Sequence, residues 1–182
     1  MLFDRVMGIA QSLTAIVLGL AAPVVNVSPT SDGSALQAVS AACAGATSPA
    51  GGGAAMYCGV NVVRRAFRLG ALHANAALNR SALLKAEAVQ RCGFTHTPCG
   101  MPFRRTFQSA RYNARAMGEN LAWGQGGLGS PVSTLGMWLA SPGHRANLLG
   151  RGWHDVGIAE VQGNMFGRTG VTLWVMQFGR RR

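Results

Sequence analysis

The chain has 182 residues, enough for one domain with extensions, because a single core takes roughly 100–200 residues. Its 48% hydrophobic content is ordinary for a globular protein. Charge is lopsided: 17 bases against 6 acids give a net +11, and Lys85 is the one lysine among 16 arginines. Such a surface attracts anions in general, including nucleic acid, acidic wall polymers and lipid headgroups. The bases are scattered along the sequence apart from short runs such as Arg64-Arg65 and Arg180-Arg181-Arg182. No basic helix or aromatic stacking platform supports nucleic-acid binding.

At the N-terminus, Arg5 precedes an apolar run over residues 13–25, the length of a signal-peptide core and short for a membrane span. Asp4, Pro23 and the lack of an A-x-A site depart from an ideal signal, and counting back to Val6 gives about a span's length. Residues 1–27 therefore read as a signal peptide or an N-terminal anchor. Residues 28–54, rich in Ser, Ala, Gly and Pro without periodicity, read as a flexible leader. Order is expected to begin near Tyr57, and the domain to occupy 55–182.

The four cysteines form two local groups, Cys43 with Cys58 and Cys92 with Cys99, among three formal pairings. In an exported chain the local pairs would staple the entry to the first helix and the turn carrying His96. Reduced thiols and a zinc site are the alternatives, although Cys-x2-Cys spacing is absent.

Val60, Val63 and Phe67 have helical spacing, with Gly70 as a stop. Asn75 is suited to cap a second helix on which Leu78, Ala82, Ala86 and Val89 recur, ending at Gly93. Residues 100–116 look irregular, with Phe103 and Phe107 on one side of a helical turn. A strand is expected from Glu119 to Trp123. Ser130 and Pro131 open a third helix with Val132, Leu135 and Leu139 on one face and Trp138 in the core, and Ser141-Pro142 repeats the start signal. His144 then falls in the first turn of a short fourth helix, whose positive end would keep its imidazole neutral. A hairpin closes the chain: one strand over 156–161, a loop over 162–170, and a second strand over 171–178. That last strand is apolar on both faces and should be central and covered on both sides. The GxGxxG match at Gly124–Gly129 has no acidic residue at the required distance and reads as a loop.

Three segments concentrate chemistry: Phe94-Thr95-His96-Thr97, Gly118-Glu119-Asn120-Leu121-Ala122-Trp123, and Trp138 through Leu149. With Cys58-Gly59-Val60-Asn61, Val156-Gly157-Ile158-Ala159 and Gln177-Phe178-Gly179, this ordered set resembles the CAP superfamily in its bacterial SCP-like extracellular form. The resemblance implies an α+β fold, a three-layer α-β-α sandwich around a small central antiparallel sheet. It also implies export, disulfides, and a cleft lined by two His and two Glu. Three of the four carry over, as His96, Glu119 and His144; the second Glu position is Ser141. Two imidazoles, one carboxylate and an open position suit zinc or another divalent metal.

Three functions follow. The first is a non-enzymatic extracellular binding module for a lipid or envelope component, acting as a monomer. The second is a metal-assisted hydrolase with Glu119 as ligand or general base. The third is an electrostatic binder of anionic polymers. For each site residue a purely structural role stands beside the chemical one: Glu119 could cap backbone donors, and His96 could order its loop.

Overall fold

The computed structural model describes residues 31–46 and 53–182. The segment read as signal peptide or anchor, 1–27, lies outside the described residues.

The described chain begins in a helix, which corrects the reading of 28–54 as flexible throughout. Ser31 accepts a hydrogen bond from the Ser34 N–H and opens α1, Asp32–Cys43. Ala35, Val39 and Cys43, at i, i+4 and i+8, form its buried side. That side is made of small residues, so its amphipathicity is weak in sequence, while its many alanines favour helix. A disulfide joins Cys43 to Cys58 on α2, Gly53–Ala66. Gly59 on α2 lets three helices meet, because a Cβ there would stand 2.7 Å from Leu135 and 3.1 Å from Val39. Asn61 holds both backbone groups of Leu72, leading into β1, His73–Ala74.

Asn75 accepts hydrogen bonds from the N–H groups of Ala77 and Leu78 and caps α3, Ala76–Cys92. Leu78, Ala82, Ala86 and Val89 are fully buried, as their spacing predicts. The Cys92–Cys99 disulfide closes the following loop. The expected irregular stretch contains a short helix, α4, Arg105–Ser109, before β2, Ala114–Gln125. Then come α5, Pro131–Ala140, capped by Ser130, and α6, Pro142–Leu148. The chain ends in β3, Asp155–Met165, and β4, Arg168–Arg181.

The closing hairpin is longer than expected. Met165 pairs with Arg168, so the connection is Phe166-Gly167 alone, both with positive φ (57° and 71°). The polar, glycine-rich stretch 162–170 looks like a loop in composition, yet most of it pairs through its backbone. A two-residue turn of this hand matches strand twist.

The sheet order is β1-β3-β4-β2. β2, β4 and β3 are antiparallel, but β1 runs parallel to β3, so the sheet is mixed rather than wholly antiparallel. β4 is central. Leu173 and Val175 pack toward α3 with Ala82, Ala86 and Val89. Trp174, Met176 and Phe178 pack the other way, with Val39, Met56, Val60, Leu135 and Trp138 from α1, α2 and α5. The result is the expected α-β-α sandwich, with six α-helices on a four-stranded sheet among the described residues.

Candidate functional site

β2 brings Glu119 under the loop that follows α3. Its side chain is fully buried, and both oxygens are engaged. His96 Nδ1 lies 2.9 Å from Oε1, the Gln177 amide donates to Oε2 at 2.7 Å, and Lys85 Nζ stands 3.5 Å from Oε1. Lys85 also donates to the His96 carbonyl at 2.6 Å and lies over the Phe103 ring. The ammonium thus neutralises the carboxylate and ties down the loop that carries His96. Gln177 donates as well to Thr106 on α4, at 3.2 Å.

His96 itself is half exposed. With Nδ1 turned to the carboxylate, its Nε2 is the nitrogen left for chemistry, the usual way in which a carboxylate orients an imidazole.

The second imidazole comes from α6. His144 is held below the ordinary imidazole range, by burial first and by the neighbouring charge of His96 second. The direction is the one expected from the sequence, and His144 does lie in the first turn of α6. Ser141, at the start of α6, caps no backbone donor with its side chain; its hydroxyl lies 3.0 Å from His144 Nδ1. At the position where the resemblance calls for a second carboxylate, a neutral hydroxyl orients the histidine instead.

Asn120 and Asn147 join the two halves. Asn120 donates to the His144 carbonyl at 3.0 Å, and Asn147 donates to the Glu119 carbonyl and the Asn120 side-chain oxygen. Both are structural, as their sequence context suggests. His73 and His154 are exposed and stand apart from these contacts.

The donor set does not fit a resident catalytic zinc. Among the described residues no group of three or more His, Cys, Asp or Glu side chains is placed to hold a metal ion. Glu119 spends its oxygens on Lys85, Gln177 and His96, leaving two imidazoles where a catalytic zinc takes three protein ligands. All four cysteines are in disulfides.

Sequence reasoning passed over Lys85, Gln177 and Thr106. Lys85 was visible as the one lysine in an arginine-rich chain, and its place one turn from Ala82 and Val89 put it on the buried side of α3.

A family model described as the cysteine-rich secretory protein family, CAP, matches residues 59–178. No curated protein matches the chain. Among solved structures, an outer surface protein of Borrelia burgdorferi aligns with a TM-score of 0.61 at 20% identity, over 70% of this chain and 90% of that one. An SCP-domain extracellular protein of Bacillus anthracis aligns with a TM-score of 0.57 at 20% identity, over 69% of this chain. A cysteine-rich secretory protein of Staphylococcus aureus aligns with a TM-score of 0.54 at 18% identity, also over 69%. The chain spans only 39% and 37% of the length of the last two. At such identity the likeness is one of fold. The family model does more: it spans most of the chain and every residue that builds the cleft, from Lys85 to Gln177, and on that match the chain belongs to the CAP family of cysteine-rich secretory proteins.

Proposed function

We propose that this is an exported, non-enzymatic binding module whose cleft at His96 and His144 takes a small ligand with an apolar part, a lipid or envelope component. One observation carries the reading: the Glu119 carboxylate is fully buried, with Oε1 turned to His96 and the Lys85 ammonium and Oε2 to the Gln177 amide, so it is held inside the protein as a partner of these three groups. A carboxylate in that state organises a site. Beside His96, Phe94 is 44% exposed and meets Phe166 edge to face, and Phe166 in turn lies against Trp123. This aromatic ledge beside the loop that carries His96 suits a ligand with an apolar chain and a polar head. Export is supported by the two disulfides, which persist in oxidising compartments.

Titration with palmitate, followed by the ring resonances of His96 and His144, tests the reading. Both should shift saturably, and His96→Ala with His144→Ala should abolish the heat of palmitate binding in calorimetry. Rings that do not respond, or a peptide or ester hydrolysis that Glu119→Gln abolishes, would overturn it.

A further inference from the structure

Arginines that are scattered along the sequence are gathered by the fold. The start of β2, the end of β4, α4 and the N-terminal half of α3 meet at one end of the sheet. There the Arg182 N–H donates to the Asn113 carbonyl, and the Arg80 guanidinium reaches the Ala110 carbonyl at 3.4 Å. Ala114 and Ala116 pair with Arg181 and Arg180 across the strands. The corner so formed collects Arg80, Arg104 and Arg105, Arg111, Arg115 and the run 180–182, half of the chain's arginines. All but the partly exposed Arg180 are exposed.

Almost nothing neutralises them. Asp155 is the carboxylate at this corner; it is buried, it accepts from Tyr112 at 2.8 Å, and it pairs with Arg181 at 2.8 Å. Among the described residues the other seven arginines make no ion pair. The acid that follows on α3, Glu87, lies two turns beyond Arg80, about 10 Å along the helix. Three arginines elsewhere are spent: Arg64 is buried on backbone carbonyls, Arg145 pairs with Asp32, and Arg168 lies over Trp123, while the exposed Arg65, Arg68, Arg91 and Arg151 are not part of this corner.

We propose that this corner docks the domain on an anionic lipid bilayer, through arginine forks on headgroup phosphates. Guanidinium groups match phosphate oxygens in pairs, and a cluster of four to eight such cations suffices for surface attraction. A nucleic acid fits less well, because bases would find no stacking platform. Phe103, the aromatic next to Arg104, is packed on Phe107 and under the Lys85 ammonium. A membrane is also the surface that the sequence itself brings near, since residues 6–25 contain no charged side chain. This docking is independent of the ligand cleft.

The test is co-sedimentation of the full chain with vesicles of phosphatidylcholine, with and without phosphatidylglycerol. Any insertion by the apolar N-terminus occurs on both, so the difference between the two measures the headgroup charge. Two variants lose four charges each: Arg104, Arg105, Arg115 and Arg182 to Gln at the corner, and Arg65, Arg68, Arg91 and Arg151 to Gln elsewhere, all at exposed positions. The corner variant should lose phosphatidylglycerol-dependent binding by on the order of a thousandfold, and the control variant far less. Wild-type binding should also fall steeply as salt rises from 0.05 to about 0.5 M. Equal losses in both variants would reduce the effect to net charge and overturn the corner. Tighter binding to polyglycerol phosphate or to a polynucleotide, at equal phosphate and salt, would overturn the bilayer as its occupant. Should the corner variant not fold, Arg104→Gln with Arg105→Gln is compared with Arg65→Gln with Arg68→Gln, and equal losses in these two would again overturn the corner.

Discussion

Lys85 and Glu119 form a fully buried pair, and such pairs are asymmetric in their energetics. Removing one partner leaves an uncompensated charge in the interior, whereas removing both can come close to neutral. Lys85→Met should therefore cost about 3 kcal/mol in urea denaturation, and adding Glu119→Gln should recover much of that loss. A double variant no better than the single one would show that the ammonium acts on the loop through the His96 carbonyl, not on the carboxylate. His144 supplies the pH dependence. Its folded imidazole is held low by burial and by His96, so near pH 6.5 and just below, roughly, the unfolded chain binds a proton that the folded chain does not. Stability must then fall as pH drops below that value, and level off once the folded ring protonates too. His144→Gln should flatten this part of the profile; an unchanged slope in urea midpoints measured between about pH 7 and 5 would contradict the assignment.

The loop between Gly93 and Thr97 is the element that places His96, and it is fastened at several points. The Cys92–Cys99 bridge closes seven residues of sequence, Lys85 holds the His96 carbonyl, and Phe94 rests on Phe166 at the hairpin tip. Changing Cys92 and Cys99 to Ser should cost about 2.5 kcal/mol on loop-closure entropy. It should also speed amide exchange over 94–97 while leaving the β2 amides around Glu119 protected, and equal protection in both segments would show that the bridge is dispensable to the site. Elements with strong local chemistry were readable in the sequence: α3 and α5 carry side-chain caps and apolar residues at helical spacing. What stayed hidden has a common cause, in that its decisive contacts are tertiary. The buried side of α1 is small and finds its partners on α2 and α5; the outer hairpin is polar and is defined by backbone pairing. In the same way, His96, Glu119 and His144 were legible as chemistry, whereas the donors that occupy Glu119 come from a helix and a strand far away in sequence. An isolated lysine usually faces water, so the place of Lys85 one turn from Ala82 and Val89 was a signal of burial, but only the fold shows which carboxylate it meets.

At the scale of the whole molecule, the stable unit is larger than the stretch by which the family is recognised. The matched region begins at residue 59, yet α1 supplies Ala35 and Val39 to the interior, a disulfide to Cys58, and an ion pair from Asp32 to Arg145 on α6 at 2.8 Å. Without α1, the faces of Gly59 and Leu135 that meet Val39 would open to water. Each large apolar side chain uncovered costs about 1.5–3 kcal/mol, and the Cys43–Cys58 closure about 3 kcal/mol more. The exposed ion pair adds little. The total is of the same order as the 5–15 kcal/mol or so by which ordinary domains are stable. A chain beginning at residue 53 should therefore unfold at a much lower urea concentration than one beginning at residue 31, and it should bind an apolar dye before the main transition. Because the α3 side of the sheet makes no use of α1, the His96–Glu119 contact should persist in whatever fraction of the shorter chain is folded, and the His96 ring resonance would report it. Equal urea midpoints for the two chains would mean that α1 is only an appendage, and the domain would then begin at α2.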